Sequence, residues 1–315
     1  MAAVDLREVG GGRCLISGII SPEVPRSVYR ASDGYLLQYR HWAAAGVPPR
    51  ARIVALHGIQ SHSGWYTYSS RRLAEAGYEV YFLDRRGSGL NSRDRGHALH
   101  SERLINDVVQ FLRHCDWRRE HPTATVPTVL LGVSWGGKLA AVTALRHPQR
   151  FQAVALLYPG FFSKVRPRWF DLWKLRWIEA IGWGLGRVPI PLNDPALFTD
   201  DADWQEFIRR DELALQTVTV SFLLANAQLT EFLQRTTAQF PVPSLLMLAG
   251  RDEIIDNTAT RACYERIAGD RGTIREYPQA RHTLEFEPDR ETFIEDLIRW
   301  LNATFPPPAI PLHNR

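Results

Sequence analysis

Thr128-Val129-Leu130-Leu131-Gly132-Val133-Ser134-Trp135-Gly136 is the stretch that decides the fold. Residues 128–133 are apolar on consecutive positions, as in a strand covered on both faces, and the alanine-rich run 135–145 that follows is helical in pattern. The chain therefore turns from strand to helix within about one residue, at Ser134. A serine at such a turn projects its hydroxyl above the sheet edge. The helix that starts beyond it aims its N-terminal N–H groups and positive dipole end at the same point. Gly132 and Gly136, two positions to either side, let neighbouring backbone pass close by.

Outward from this turn, short apolar runs alternate with helical patterns. Strands are expected over 35–42, 52–56, 78–83, 151–158, 244–248 and 273–277. Helices are expected over 66–76, 102–113, 135–145, 259–267 and 291–302. That rhythm predicts an α/β fold with a doubly wound, mostly parallel sheet. It breaks between 160 and 241, where the pattern is mostly helical. Residues 1–160 and 241–315 are therefore read as one core and 161–240 as an inserted helical cap over the strands' C-terminal edge, where open sheets of this kind bind ligands. Trp169, Trp173 and Trp177 recur at i, i+4 and i+8 on one helix face of that insertion. The proline-rich end, 305–315, reads as a surface tail.

The chain has 315 residues, 45% hydrophobic and 23% charged, the balance of a soluble globular protein. Cys14, Cys115 and Cys263 are too few and too scattered for a disulfide framework or a zinc site. The acid and arginine near the N-terminus argue against a signal peptide, and no stretch is long enough to span a bilayer, so a cytoplasmic location is expected. The net charge of +4 is spread along the chain without a basic run, which argues against nucleic-acid binding.

A serine of ordinary acidity is a weak nucleophile and needs a base, and the base needs an orienting group. Of the histidines downstream of Ser134, His147 ends a helix and His313 lies in the tail. His282, just after a strand, is the candidate base. Asp252 follows the 244–248 strand directly and is the candidate acid; Asp256, just before Asn257-Thr258, is the runner-up and more suited to capping a helix. Acyl transfer also needs donors for the oxyanion. The backbone N–H of Trp135 and that of Ile59, in the His57-Gly58-Ile59 turn after the 52–56 strand, are the candidates. His57 and His62 lack a third ligand at metal spacing and are read as orienting loops. Metal and organic cofactors are not implied.

With these residues assembled, the sequence resembles the monoglyceride lipase and lysophospholipase-like branch of the α/β hydrolases. The resemblance rests on His57-Gly58-Ile59-Gln60-Ser61-His62-Ser63-Gly64-Trp65-Tyr66, on Asp84-Arg85-Arg86-Gly87-Ser88-Gly89, on the Ser134 turn, and on the segments around Asp252 and His282. It implies Ser134, Asp252 and His282 as triad, and the N–H groups of Ile59 and Trp135 as oxyanion hole. Gln60-Ser61 replaces the glycine and acid common in the lipase loop, and Trp135 beside the nucleophile is similar to proline iminopeptidases. The expected activity is hydrolysis of medium or long acyl esters, with His57, Gly58, Trp169, Trp173 and Trp177 as substrate contacts. Lys164, Arg166, Arg168, Lys174 and Arg176 among the cap aromatics suggest an outer face that touches a lipid surface. An aminopeptidase, an acyltransferase on the same triad and a non-catalytic receptor remain open. For a peptidase, Asp194 or the Asp200–Asp203 acids would have to face the pocket rather than start helices.

Overall fold

In the computed structural model the described residues are Val24, 26–46, 48–117, 126–165 and 182–306. Ten strands run through them: β1 Arg26–Arg30, β2 Leu36–Trp42, β3 Ala51–Leu56, β4 Tyr78–Leu83, β5 Thr128–Val133, β6 Ala153–Leu157, β7 Arg187–Pro189, β8 Thr217–Thr219, β9 Ser244–Ala249 and β10 Gly272–Tyr277. The helices are α1 Thr67–Glu75, α2 Ser101–Trp117, α3 Trp135–Arg146, α4 Ala202–Arg210, α5 Val220–Arg235, α6 Asn257–Ala268 and α7 Arg290–Thr304.

Eight strands form one sheet in the order β1-β2-β4-β3-β5-β6-β9-β10. From β4 to β10 every pairing is parallel, while β2 runs antiparallel to both its neighbours. Every residue of β3, β5, β6 and β9 is buried, because helices cover both faces of the sheet. Exposure returns at the edges, where β1 and β10 carry charged side chains.

The strand order places the site. From β3 the chain goes one way to β4, then jumps back over β3 to β5. Crossovers of fixed hand put the intervening helices on opposite faces, and a crevice opens where the direction reverses, between the C-terminal ends of β3 and β5. Those ends carry His57–Ile59 and Ser134. Each expected strand and helix is present, within a few residues of the sequence reading.

Between β6 and β9 the chain is less uniformly helical than its sequence suggests. β7 and β8 pair antiparallel as a separate two-stranded sheet, Arg187 opposite Thr219, alongside α4 and α5. Trp169, Trp173 and Trp177 lie outside the described residues. No helix among the described residues is long and apolar enough to cross a membrane.

Candidate active site

Ser134 sits between β5 and α3 at φ 51°, ψ −123°, a backbone region that L-residues other than glycine rarely occupy. Hydrogen bonds hold it there. Its N–H donates to the Leu157 carbonyl at 3.0 Å, and its own carbonyl accepts from the N–H groups of Gly137 at 2.8 Å and Gly160 at 2.6 Å. The start of α3 also lies hard against the end of β3. A Cβ on Gly136 would stand 2.4 Å from the Leu56 carbonyl oxygen and 2.5 Å from that of His57, so only glycine fits.

The three residues singled out for the catalytic chain meet. His282 Nε2 is 2.9 Å from Ser134 Oγ, and His282 Nδ1 is 2.7 Å from Asp252 Oδ2. A carboxylate can only accept, so the ring proton stands on Nδ1 and the Nε2 lone pair faces the serine hydroxyl. Asp252 Oδ1 accepts from the N–H groups of Ile254 at 2.8 Å and Ile255 at 2.9 Å, which fixes the carboxylate's orientation. Asp252 and His282 are each only 2% exposed, so little water competes for these bonds. The Tyr158 ring packs edge-on to the imidazole with centroids 4.9 Å apart. Asp256 is elsewhere, its carboxylate accepting from the Ala259 N–H as the N-cap of α6.

His57 is buried with both ring nitrogens engaged. The Arg85 N–H donates to Nε2 at 2.9 Å, so the proton is on Nδ1, which donates to the Gly58 carbonyl at 2.8 Å. Burial, with the Arg85 charge next in weight, pushes its pKa down to about 3 and keeps the ring neutral. His57 does not line the cavity beside Ser134; its bonds brace the loop. Gly58 does not line it either, but a Cβ there would stand 3.3 Å from the Ser134 Cβ, so its lack of a side chain makes room for that serine. His62 also organises its loop. Its Nδ1 accepts from the Gly64 N–H at 3.0 Å and its Nε2 reaches Asp211 Oδ2 at 3.0 Å. Asp211 takes a further bond from Trp65 Nε1 at 2.5 Å.

Ser134, Ile59 and Trp135 border a cavity of about 800 Å³. Part of its lining is apolar: Phe161, Phe162, Val165, Ile254 and Ile255 on one group of loops, and Val188 on β7, Ile190 and Leu192 just after it, Val218 on β8 and Leu223 on α5. The polar lining comes from Lys138 on α3 and from Asn226, Thr230, Glu231, Gln234 and Arg235 on α5. Asn226 Oδ1 accepts from Trp135 Nε1 at 2.9 Å and from Lys138 Nζ at 2.8 Å, and Thr230 Oγ1 lies 2.8 Å from the same ammonium. These residues escaped the sequence reading. Their signal is there, as Asn226, Thr230 and Gln234 recur at i, i+4 and i+8 along one side of α5. Asp194, Asp200, Asp201 and Asp203 do not line the cavity. Asp194 caps a single turn, Asp201 caps α4, and Asp200 receives bonds from Arg251 and Arg281.

The sequence profile of the Hydrolase_4 family, described as serine aminopeptidase, S33, matches residues 47–289. The chain belongs to this family. It is an α/β hydrolase, an enzyme of the serine-hydrolase class. Among its relatives are the monoacylglycerol lipase of Mycolicibacterium smegmatis, 24% identical over 85% of this chain and 93% of that one, and the phospholipase YtpA of Bacillus subtilis, 27% identical over 79% and 94%. A soluble variant of the monoglyceride lipase from Saccharomyces cerevisiae, solved with a substrate analogue, superposes on this hydrolase with a TM-score of 0.78. It shares 20% identity and covers 91% of this chain and 97% of that one.

Proposed function

We propose that this hydrolase cleaves carboxylic esters of medium or long acyl chains with small polar alcohols, monoacylglycerol-like substrates, through an acyl-enzyme on Ser134. The observation that carries the reading is the Ser134–His282–Asp252 hydrogen-bonded chain beside a cavity that is apolar over one part of its lining and polar along α5. Ser134 Oγ attacks the ester carbonyl while its proton passes to His282 Nε2. Asp252 steadies the imidazolium and holds its tautomer. The oxyanion is received by the N–H groups of Ile59 and Trp135. Trp135 opens α3, so its N–H has no partner within the helix. For Ile59, a planar trans peptide points N–H and C=O in opposite directions, and His57 holds the Gly58 carbonyl of that same peptide. The intermediate then expels the alcohol, protonated by His282. Water, deprotonated by the same nitrogen, releases the fatty acid.

Residues 161–240 serve in this reading as the cap, contributing Phe161, Phe162, Ser163, Val165, Val188 to Leu192 and part of α5 to the lining. Trp183 and Leu185 are 69% and 71% exposed, which supports contact with a lipid surface; Arg166, Arg168, Lys174 and Arg176 lie outside the described residues. Cosedimentation with anionic vesicles that weakens with salt is expected; no binding at low salt would sink this part. An aminopeptidase would need a carboxylate for the substrate amine. Glu231 is on the cavity wall but pairs with Arg235 at 3.2 Å, which favours the ester reading.

The test is hydrolysis of p-nitrophenyl esters from acetate to palmitate, wild type against Ser134→Ala, with a prolyl arylamide alongside. Activity lost in the variant and greatest on chains of about eight carbons or more is expected, since a cavity of this size holds a drug-sized ligand. Faster cleavage of the arylamide than of any ester would transfer the site to peptide chemistry.

A further inference from the structure

Two arginines follow Asp84, and the structure treats them oppositely. Arg86 is a paired ion, bound by Asp107 through Nε and Nη2 at 2.8 and 2.9 Å and by Asp33 at 2.9 Å. Arg85 is only 5% exposed, yet no carboxylate pairs with it among the described residues. Its Nη2 donates to the Ile59 carbonyl at 2.9 Å and more distantly to Ser88 Oγ at 3.4 Å, while Nε and Nη1 are buried without a hydrogen-bond partner. Its guanidinium carbon stands 4.8 Å from the centroid of a Trp135 ring and 4.9 Å from that of Phe222. A buried, unpaired cation is costly, and folding alone would be served as well by an apolar side chain of that volume. Burial, and then the charge of Arg95, bring its pKa down to about 9, which leaves it cationic at neutral pH.

We propose that Arg85 is a positioning residue for the oxyanion site, holding its two donors in register while its unpaired charge favours the anion. The proposal rests on the reading of the Ile59 and Trp135 N–H groups as those donors. Arg85 reaches both sides of the site. Its backbone N–H binds His57, which holds the Gly58 carbonyl and so directs the Ile59 N–H. Its side chain fixes the next carbonyl, that of Ile59, and lies on the indole of Trp135, whose far end is tied to Asn226. The charge faces a ring rather than a counter-ion, so its field is not cancelled locally when negative charge develops on the substrate.

The experiment compares Arg85→Met, which removes charge and donor at similar length, with Arg85→Gln, which keeps a donor for the Ile59 carbonyl without the charge. The readouts are kcat and KM on p-nitrophenyl butyrate, and the affinity of an alkyl trifluoromethyl ketone, which forms a tetrahedral oxyanion on the serine. Arg85→Met should lower kcat about tenfold to a hundredfold, short of the loss of a whole donor, with KM little changed. It should weaken the ketone by a similar factor, and Arg85→Gln should recover part of both. Unchanged kcat and ketone affinity in both variants, a loss confined to KM, or a kcat loss without weaker ketone binding would overturn the proposal. If the oxyanion reading itself is wrong, the wild-type enzyme will bind the trifluoromethyl ketone no better than the matching methyl ketone, an outcome separate from any effect of Arg85.

Discussion

Replacing Asp252 by asparagine changes one atom's chemistry and almost nothing of its shape. The two oxygens of Asp252 have different partners, and this decides how an asparagine must sit. Oδ1 accepts from the N–H groups of Ile254 and Ile255, and Oδ2 faces His282 Nδ1. An asparagine must present its carbonyl to the two backbone donors, because turning its NH₂ toward them would leave two buried N–H groups unsatisfied, at about 1–3 kcal/mol each. The NH₂ group therefore points at His282 Nδ1, which can then only accept. The ring proton moves to Nε2 and faces Ser134 Oγ, so the base has no lone pair for the serine proton. A wrong tautomer of this kind lowers kcat by about 10⁴, or roughly 5 kcal/mol of barrier. The folding midpoint should hardly move. Asp256→Ala is the control: removing the α6 cap costs about 1 kcal/mol of stability and leaves kcat within a few-fold. Both variants are assayed on p-nitrophenyl esters with thermal melts alongside. Asp252→Asn within tenfold of wild type, or Asp256→Ala as damaging as Asp252→Asn, would show that the tautomer of His282 is not what Asp252 controls.

Glu285 is buried beside Ser69, whose N–H it accepts, and desolvation raises its pKa to about 7. In the unfolded chain it ionises near 4.5, so the folded state binds more protons between those values and stability falls as pH rises through them. Glu285→Gln, which cannot ionise, should therefore melt near wild type at pH 4.5 and above it at pH 8, by roughly 3 kcal/mol at most; an equal difference at both pH values would contradict this. Gly136→Ala forces a methyl into the carbonyl oxygens of Leu56 and His57 and should destabilise by about 3 kcal/mol or prevent folding, read as a lowered urea midpoint; an unshifted midpoint would mean that β3 and α3 can separate.

The fold was legible where burial is complete. β3, β5 and β9 are apolar at nearly every position, and each such run has one interpretation once helical patterns separate them. β1 was not, because an edge strand written Arg-Ser-Val-Tyr-Arg carries no apolar run. β7 and β8 have three residues each, too few to show a period, and their pairing spans Arg187 to Thr219. In the candidate site, the meeting of Ser134, Asp252 and His282 was legible because each stands in a loop at the same edge of the sheet. Asp252 and Asp256 differ in just that respect: one faces His282 directly beyond β9, and the other starts α6. His57 was read as orienting its loop, but which carbonyl it holds depends on which ring nitrogen carries the proton, and the surroundings of Arg85 could not be read, since they turn on a cation left without a counter-ion.

The backbone of Ser134 constrains how the protein can change. At φ 51° and ψ −123° the Cβ is a liability of the order of 1–3 kcal/mol, and glycine would sit there at ease. The hydroxyl and the comfortable backbone exclude each other. Drift toward greater sturdiness thus has an easy route at this position, and it ends in a more durable protein that no longer has the proposed nucleophile. Among descendants of this chain that have given up chemistry, the hardiest would be those with glycine at 134.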